Sequence, residues 1–292
     1  MLLENSSLAA PLSNTGPQFE LPTQSNESLI CFLHIPKTAG TTLNSILNHQ
    51  YPPSGILKVM MRGMSLVEPR LRLIAKPLIS SSKLRRLKAD LARRADLHAL
   101  QGHFDMSLAP LLPADTRFVT ILREPVERAV SHYYHYRNQR DDPISPLSHQ
   151  STLAQWVCER GLVEMDNGQT RRLAGEMSLP CGQVSRDTLE HAKSNLRRFA
   201  VVGLTERFEE AQVLLHDKFH WPLYRYTARN VTPNRPPPGD LGAADLKLIR
   251  DFNRFDLELY QFAAGLFQQA ASRIDMAAKL AALRRAPACP AP

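Results

Sequence analysis

The residues best suited to chemistry lie in the segment LICFLHIPKTAGTTLNSIL, residues 29–47. An apolar run leads into a short loop and then into a helical pattern. Successive backbone N–H groups at a helix start bind anions, small residues let an anion approach, and a lysine adds positive charge. The segment therefore predicts a phosphate-binding loop. Its candidate ligand-binding residues are Pro36, Lys37, Thr38, Ala39, Gly40, Thr41 and Thr42.

This loop lacks the usual nucleotide-triphosphate signature, because no GK[ST] follows the glycine and the lysine precedes it. Enzymes with that signature hold Mg²⁺ through a Ser/Thr after the lysine and an acidic residue at a strand end. No predicted strand ends convincingly in such an acid. The sequence thus favours a phosphate-type ligand that is handled without a metal.

A second anion site is predicted in TILREPVERAVSHYYHYR, residues 120–137. Arg123 follows a predicted strand, at the end where α/β sheets bind ligands, and Pro125 opens a helix as its first residue. Ser131 lies on a helical stripe beside the apolar one, together with Arg128, His132 and His135. Arg123 and Ser131 are expected to converge on a second phosphate; a salt bridge is the alternative for Arg123.

The order of elements predicts an α/β fold, in which one P-loop-like domain, residues 28–273, has a central parallel sheet flanked by helices. Residues 1–27 are predicted to be a disordered tail and 274–292 a C-terminal tail. Thr205 is expected to cap the helix that follows it. Strands are predicted at 28–35, 97–104, 117–122 and 199–204; helices at 42–49, 81–95, 125–137, 151–161, 185–198, 206–219 and 240–273, the last as one helix or a pair; and loops at 141–150 and 230–239.

The amino-acid composition limits the classes of binding partner that are expected. A formal net charge of +8 favours anionic ones: a nucleotide, an acidic or sulfated glycan, nucleic acid or a membrane surface. No stacking motif accompanies the basic runs, so nucleic acid is not expected. The basic helix 83–94 is interpreted either as a surface for an acidic polysaccharide or anionic membrane, or as a solvated face. The four cysteines form no C-x-x-C pair, so no metal site is predicted.

Together the motifs resemble the sulfotransferases that use 3′-phosphoadenosine 5′-phosphosulfate (PAPS). The similarity is greatest to the heparan sulfate 2-O and 6-O (glycan) branch and its bacterial relatives, and it runs from about residue 29 to 262. HIPKTAGTT resembles the 5′-phosphosulfate loop, and LREPVERAVSHYYH resembles the 3′-phosphate motif, with Arg123 and Ser131 at matching positions. DNGQTRRLAG, residues 166–175, and NLRRFAVVGLTERFEEAQVLL also resemble that branch.

The resemblance implies sulfuryl transfer from PAPS to a hydroxyl or amine of a saccharide or other small acceptor. Lys37 would neutralise the leaving oxygen, and His103 in LQGHFDM would be the base, with His98, His132 and His135 as rivals. The loop around Thr232, Asn234 and Arg235 would close over the nucleotide, or be an ordinary Pro-rich loop. Acceptor contact or ordering of the site is implied for Asn167, Gln169, Thr170 and Arg171.

The animal members of that branch have a membrane anchor and paired cysteines, and this sequence is expected to have neither. No signal peptide or run of roughly 18 apolar residues is visible. The sequence is therefore interpreted as a bacterial cytoplasmic enzyme, with peripheral membrane contact left open. Two other functions remain open: a P-loop kinase or NTPase-like enzyme, and a non-catalytic anion- or glycan-binding module.

Overall fold

The computed structural model of the chain describes residues 28–60, 89, 97–139, 145–158, 162–226 and 240–289. Three predictions fall on segments outside these residues: the N-terminal tail 1–27, the basic helix 83–94 apart from Ala89, and the loop 230–239 with Thr232, Asn234 and Arg235.

A five-stranded, entirely parallel sheet forms the centre of the fold, with the strand order β2-β3-β1-β4-β5. This confirms the predicted α/β class. The first strand is central and buried along its whole length, as expected for a parallel strand covered on both faces. The strands are β1 (Ile30–Leu33), β2 (Ile56–Met60), β3 (Ala99–His103), β4 (Arg117–Leu122) and β5 (Val201–Leu204).

One strand was not predicted. β2 lies at the edge of the sheet, beside β3, in a stretch that Pro52, Pro53 and Gly55 interrupt. Its exposed Lys58 also breaks the apolar run. Pairing with β3, in which Ile56 lies opposite Ala99, stabilises this strand, and the local sequence does not indicate that pairing.

Ten α-helices are described in these parts of the chain, and the predicted helix at 240–273 is a pair. The helices are α1 (Gly40–Gln50), α2 (Pro125–Asn138), α3 (Ser145–His149), α4 (Leu153–Cys158), α5 (Gly168–Ala174), α6 (Arg186–Leu196), α7 (Phe208–Phe219), α8 (Ala243–Phe252), α9 (Arg254–Ala271) and α10 (Met276–Arg285).

Two local predictions were wrong. Thr205 does not cap α7, because a 3₁₀ turn, Thr205–Arg207, intervenes and α7 starts at Phe208. The Thr205 hydroxyl instead donates to the carbonyl of Leu122 at 3.0 Å and ties β5 to β4. The predicted loop 141–150 contains the short helix α3 at its end.

The segment 274–292, predicted as a tail, contains α10. Asp275 caps this helix by accepting from Ala278 N at 3.0 Å. The helix packs on α7, where Leu283 is buried and Lys279 pairs with Asp217 at 2.7 Å. Tertiary packing stabilises this helix. The Ala-rich sequence of the segment does not reveal that packing.

The parallel register brings three loops to one edge of the sheet. Leu33 of β1 lies opposite Gly102 of β3 on one side and Thr120 of β4 on the other. The residues that follow β1, β3 and β4 therefore meet at the carboxyl edge, where open α/β sheets bind ligands. A second apolar cluster, formed by α2, α4 and α8 around the buried Trp156, fixes α2 beside that edge.

Candidate active site

The loop after β1 has an unusual backbone. Lys37 and Ala39 have φ values of 68° and 63°, a left-handed conformation that residues with a Cβ adopt rarely. The hydroxyl of buried Thr38 donates to Ile35 O at 2.9 Å and closes the turn. Strained backbone at a strand end is typical of functional sites, and it turns the loop into the start of α1.

The N-terminus of α1 suits an anion. Its N-cap is Ala39, which offers no side-chain acceptor to the first-turn N–H groups. An external anion can take that place. Thr41 is half-buried and Thr42 is buried in the first turn. The predicted loop residues thus form one continuous turn, although the Thr38 hydroxyl serves the loop itself.

Arg123 joins the second motif to the first. It follows β4, and its Nη1 donates to Lys37 O at 3.2 Å. Its Nη2 also pairs with Glu127 Oε2 at 3.1 Å, so the predicted salt bridge is present beside the loop contact. Ser131 lies one helical turn beyond Glu127 on α2 and is buried.

Gln169 fixes the backbone of Arg123. This side chain is fully buried, its Oε1 accepts from Arg123 N at 3.0 Å, and its Nε2 donates to Arg123 O at 2.9 Å. Both hydrogen-bonding groups of the Arg123 backbone are therefore held by one amide. The motif at 166–175, which forms α5, thus acts directly on a predicted phosphate-binding residue.

Asn167 and Thr170 connect α5 to the start of α9. Asn167 Oδ1 accepts from Phe255 N at 2.9 Å and from Asp256 N at 3.1 Å, the role of a helix cap supplied from a distant segment. The Asp256 Oδ1 atom accepts from the amide and the hydroxyl of Thr170, both at 2.7 Å. All three side chains are buried.

Arg171 holds another loop. Its guanidinium pairs with Asp166 and donates to Leu179 O at 2.6 Å and to Pro180 O at 2.9 Å. Like the other predicted residues of this motif, it is buried and bonded within the protein. These contacts favour ordering of the site over direct contact with an acceptor.

His103, the last residue of β3, lies against His34, the residue that follows β1. Its Nδ1 is 3.0 Å from the carbonyl oxygen of His34, and the two imidazole rings are 4.2 Å apart. Burial and then the charge of Arg172 lower the pKa of His103 below its ordinary value, against the opposing effects of the His34 carbonyl and Glu164. The ring is therefore neutral near pH 7.

The rival histidines lie elsewhere. His98 precedes β3, at the opposite edge of the sheet, and stacks on Tyr51. His132 is fully buried and accepts from Trp156 Nε1 at 3.2 Å. His135 contacts Tyr136 further along α2. Of the four candidates, His103 contacts His34, which follows β1 directly and lies two residues before the loop.

A buried charge network under the site was not predicted. Arg128 and Arg172 converge on Glu164, and Arg128 also lies 4.0 Å from Asp256. Burial would raise the pKa of Glu164, but the charges of Arg172 and Arg128 hold it below the ordinary value. Arg172 also donates to Phe104 O at 3.0 Å, next to His103. The sequence signal was the second arginine of DNGQTRRLAG, but the motif does not indicate its partners, Glu164 and Phe104, which lie 8 and 68 residues away.

Two kinds of feature, a membrane-spanning helix and a metal-binding cluster, are absent from the described part of the chain. No helix there is long and apolar enough to cross a membrane. No group of three or more His, Cys, Asp or Glu side chains there is placed to hold a metal ion.

The sequence is similar to those of known sulfotransferases. Heparan-sulfate 6-O-sulfotransferase 1-B of Danio rerio is 30% identical over 182 residues, 52% of this chain and 44% of that protein. Heparan-sulfate 6-O-sulfotransferase 2 of Homo sapiens is 28% identical over 280 residues, 83% of this chain and 45% of that protein. The chain thus spans less than half the length of these curated relatives.

A solved structure of a mouse sulfotransferase complexed with PAP is also similar, at 14% identity over 78% of this chain and 65% of that chain. Its TM-score of 0.38 is too low to support any inference. The model of the family described as "Sulfotransferase family" matches residues 23–263. That match includes the loop, Arg123, the 166–175 motif and His103, and the chain therefore belongs to the sulfotransferase family.

Proposed function

We propose that this protein transfers a sulfuryl group from PAPS to a hydroxyl, or an amine, of a saccharide or other small acceptor. The observation that carries the proposal is the contact of Arg123 Nη1 with Lys37 O at 3.2 Å. It joins two motifs that are predicted to bind anions and are separate in sequence, at one edge of the sheet. Two linked phosphate sites suit a nucleotide with phosphate groups on both its 5′ and its 3′ positions.

The donor would be held by the chain's own dipoles and charges. The loop amides at the α1 N-terminus, with Thr41 and Thr42, would bind the 5′-phosphosulfate, and Arg123 with Ser131 would bind the 3′-phosphate. Lys37 would stabilise the negative charge that develops on the bridging oxygen as the sulfur–oxygen bond breaks.

His103 would act as the general base. A carbonyl oxygen can only accept a hydrogen bond, so the contact with His34 O places the proton of neutral His103 on Nδ1. The Nε2 atom then carries the lone pair. It would take the proton from the acceptor hydroxyl as the acceptor oxygen bonds to sulfur and the phosphate oxygen leaves. The lowered pKa of His103 keeps this atom unprotonated near neutrality.

The acceptor class is proposed from two sources. The curated relatives are named for sulfation of heparan sulfate, a saccharide. The net charge of +8 favours an anionic acceptor. Asn167, Gln169, Thr170 and Arg171 would order the site rather than touch the acceptor. The bacterial origin and the cytoplasmic location stay predictions.

Turnover with labelled PAPS and a panel of saccharides tests this function. We expect sulfated product from wild type, and loss of turnover in Lys37→Ala and His103→Ala with the fold retained. Lys247→Ala and His191→Ala are matched controls, because both residues are exposed on outer helices. For His103→Ala, kcat should fall far more than donor affinity. Near wild-type rates in either site variant would overturn the assigned role.

A further inference from the structure

His34 touches the proposed base in two ways. Its backbone carbonyl binds His103 Nδ1, and its imidazole faces that of His103 at 4.2 Å, tilted by 34°. The ring also stacks on Phe32, with the ring centroids 5.4 Å apart. His34 is itself buried, so its position is set by packing against these two rings.

The same ring also determines which residue can follow in the loop. A Cβ on Gly40 would overlap Cδ2 and Nε2 of the His34 imidazole. Gly40 does not have a positive φ, so it is the volume of His34, and not the backbone conformation, that demands glycine here. The first residue of α1 therefore rests on the His34 ring.

His34 is uncharged. Asn44 Nδ2 lies 3.4 Å from its Nδ1, a long contact in which the amide donates. Burial and then the neighbouring His103 lower the pKa of His34 to about 2. The other charged groups that face the pair are Arg172, Lys37 and Glu164. A neutral ring adds no charge to the site, so its contacts with His103 and Gly40 act through shape.

We propose that His34 is a positioning residue, whose imidazole is a spacer that sets the separation between the donor loop at Gly40 and the base His103. This inference rests on the proposed function, which gives both neighbours their roles. In-line transfer needs the sulfur, the acceptor oxygen and the base at fixed separations. A displacement of about 1 Å can cost roughly 100-fold in rate.

Two variants separate shape from chemistry. In His34→Ala the spacer is lost, and we expect kcat to fall by about 10- to 100-fold, more than the affinity for 3′,5′-ADP. His34→Phe keeps a planar ring of similar size, and we expect it to retain most of the wild-type kcat. His34→Phe also keeps the test valid if His34→Ala does not fold. A fall in kcat as large in His34→Phe as in His34→Ala would contradict the spacer role of His34.

A pH measurement distinguishes positioning from general stabilisation. Without the ring, water reaches His103, and its pKa should rise towards the ordinary value near 6.5. The acid limb of kcat should then move to higher pH in His34→Ala and stay in place in His34→Phe. An unmoved limb in His34→Ala, with equal losses of kcat and nucleotide affinity, would make His34 a structural residue only.

An NMR titration of the His103 imidazole measures the same pKa without turnover. It also distinguishes failure of the spacer role from failure of the proposed function. If the proposed function is wrong, the wild-type protein should neither bind 3′,5′-ADP nor turn over PAPS. If only the spacer role is wrong, the pKa of His103 should be unchanged in His34→Ala. The cost of Gly40→Ala should also be smaller in the His34→Ala background than in wild type. Equal costs would contradict contact through the ring.

Discussion

The side-chain amide of Gln169 is hydrogen-bonded to both the N–H and the C=O of Arg123, at 3.0 and 2.9 Å. The two residues are 46 positions apart in sequence, and Gln169 is fully buried. Arg123 is thereby fixed at the end of β4 by its backbone, while its guanidinium reaches Lys37 O and Glu127. The direction of the guanidinium therefore depends on α5.

Replacing Gln169 with Glu tests this dependence. The variant is nearly isosteric, but a carboxylate cannot donate to Arg123 O, and two acceptors would face each other in a buried place. We expect a free energy of unfolding lower by about 1–3 kcal/mol and weaker binding of 3′,5′-ADP, measured by urea unfolding and calorimetry. Gln183→Glu, at an exposed position, is the charge-matched control. Unchanged nucleotide affinity in Gln169→Glu would show that α5 does not influence the proposed anion site.

Arg123 and Arg117 make a matched pair, because they lie at opposite ends of β4. Arg123→Ala removes a charged donor from the proposed 3′-phosphate site, so the affinity for 3′,5′-ADP should fall roughly 10- to 100-fold. Arg117 is exposed at the other edge of the sheet, and Arg117→Ala should bind as wild type does. An equal loss of affinity in both variants would indicate a general charge effect and contradict the assignment of Arg123 to the 3′-phosphate.

Thr170 distinguishes ordering from acceptor contact. Thr170→Val removes the hydroxyl that donates to Asp256 at 2.7 Å and leaves that buried carboxylate short of a donor. We expect a free energy of unfolding lower by about 1–3 kcal/mol, with the KM for acceptor unchanged. Thr170→Ser keeps the hydroxyl and should recover most of the stability. A raised acceptor KM in a fully stable Thr170→Val protein would show direct acceptor contact.

Stability should fall as the pH is lowered below about 6.5. Burial lowers the pKa of His34 to about 2 and of His132 to about 3, and it also lowers that of His103. Below the ordinary histidine value the unfolded chain binds protons that the folded protein does not. Each group can then reduce the free energy of unfolding by roughly 1 kcal/mol per pH unit.

Urea unfolding at pH 7 and pH 5 measures this effect, and the expected result is a lower stability at pH 5 with net proton uptake on unfolding. His34→Phe cannot take up that proton and should show a weaker pH dependence than wild type. Equal stability at the two pH values would mean that these histidines are not buried in their neutral forms.

The turn after β1 and the place of Arg123 at the end of β4 were predictable because their signals are local. A strand, a run of small and hydroxyl residues and a helix start are adjacent in HIPKTAGTT, and Arg123 follows directly on a strand. Parallel pairing then brings such ends to one edge. The α/β class followed from the same alternation.

The contacts that order the site could not be predicted, because their partners are distant in sequence. Asp256 lies 86 residues from Thr170, and Glu164 is 36 residues from Arg128. The sequence also does not indicate that the volume of the His34 ring requires glycine at position 40. The edge strand β2 and helix α10 are likewise stabilised by tertiary pairing and packing.

The most direct test of the central claim is a thermal-shift comparison of the purified protein with 3′,5′-ADP and with ATP plus Mg²⁺. A ligand at 100 times its Kd adds about 2.7 kcal/mol to the free energy of unfolding. That should raise Tm by roughly 5 °C or more for a chain of this size. We expect this shift with 3′,5′-ADP and without metal. A shift only with ATP and Mg²⁺ would indicate a kinase-like enzyme, and no shift with either would contradict the two-phosphate site.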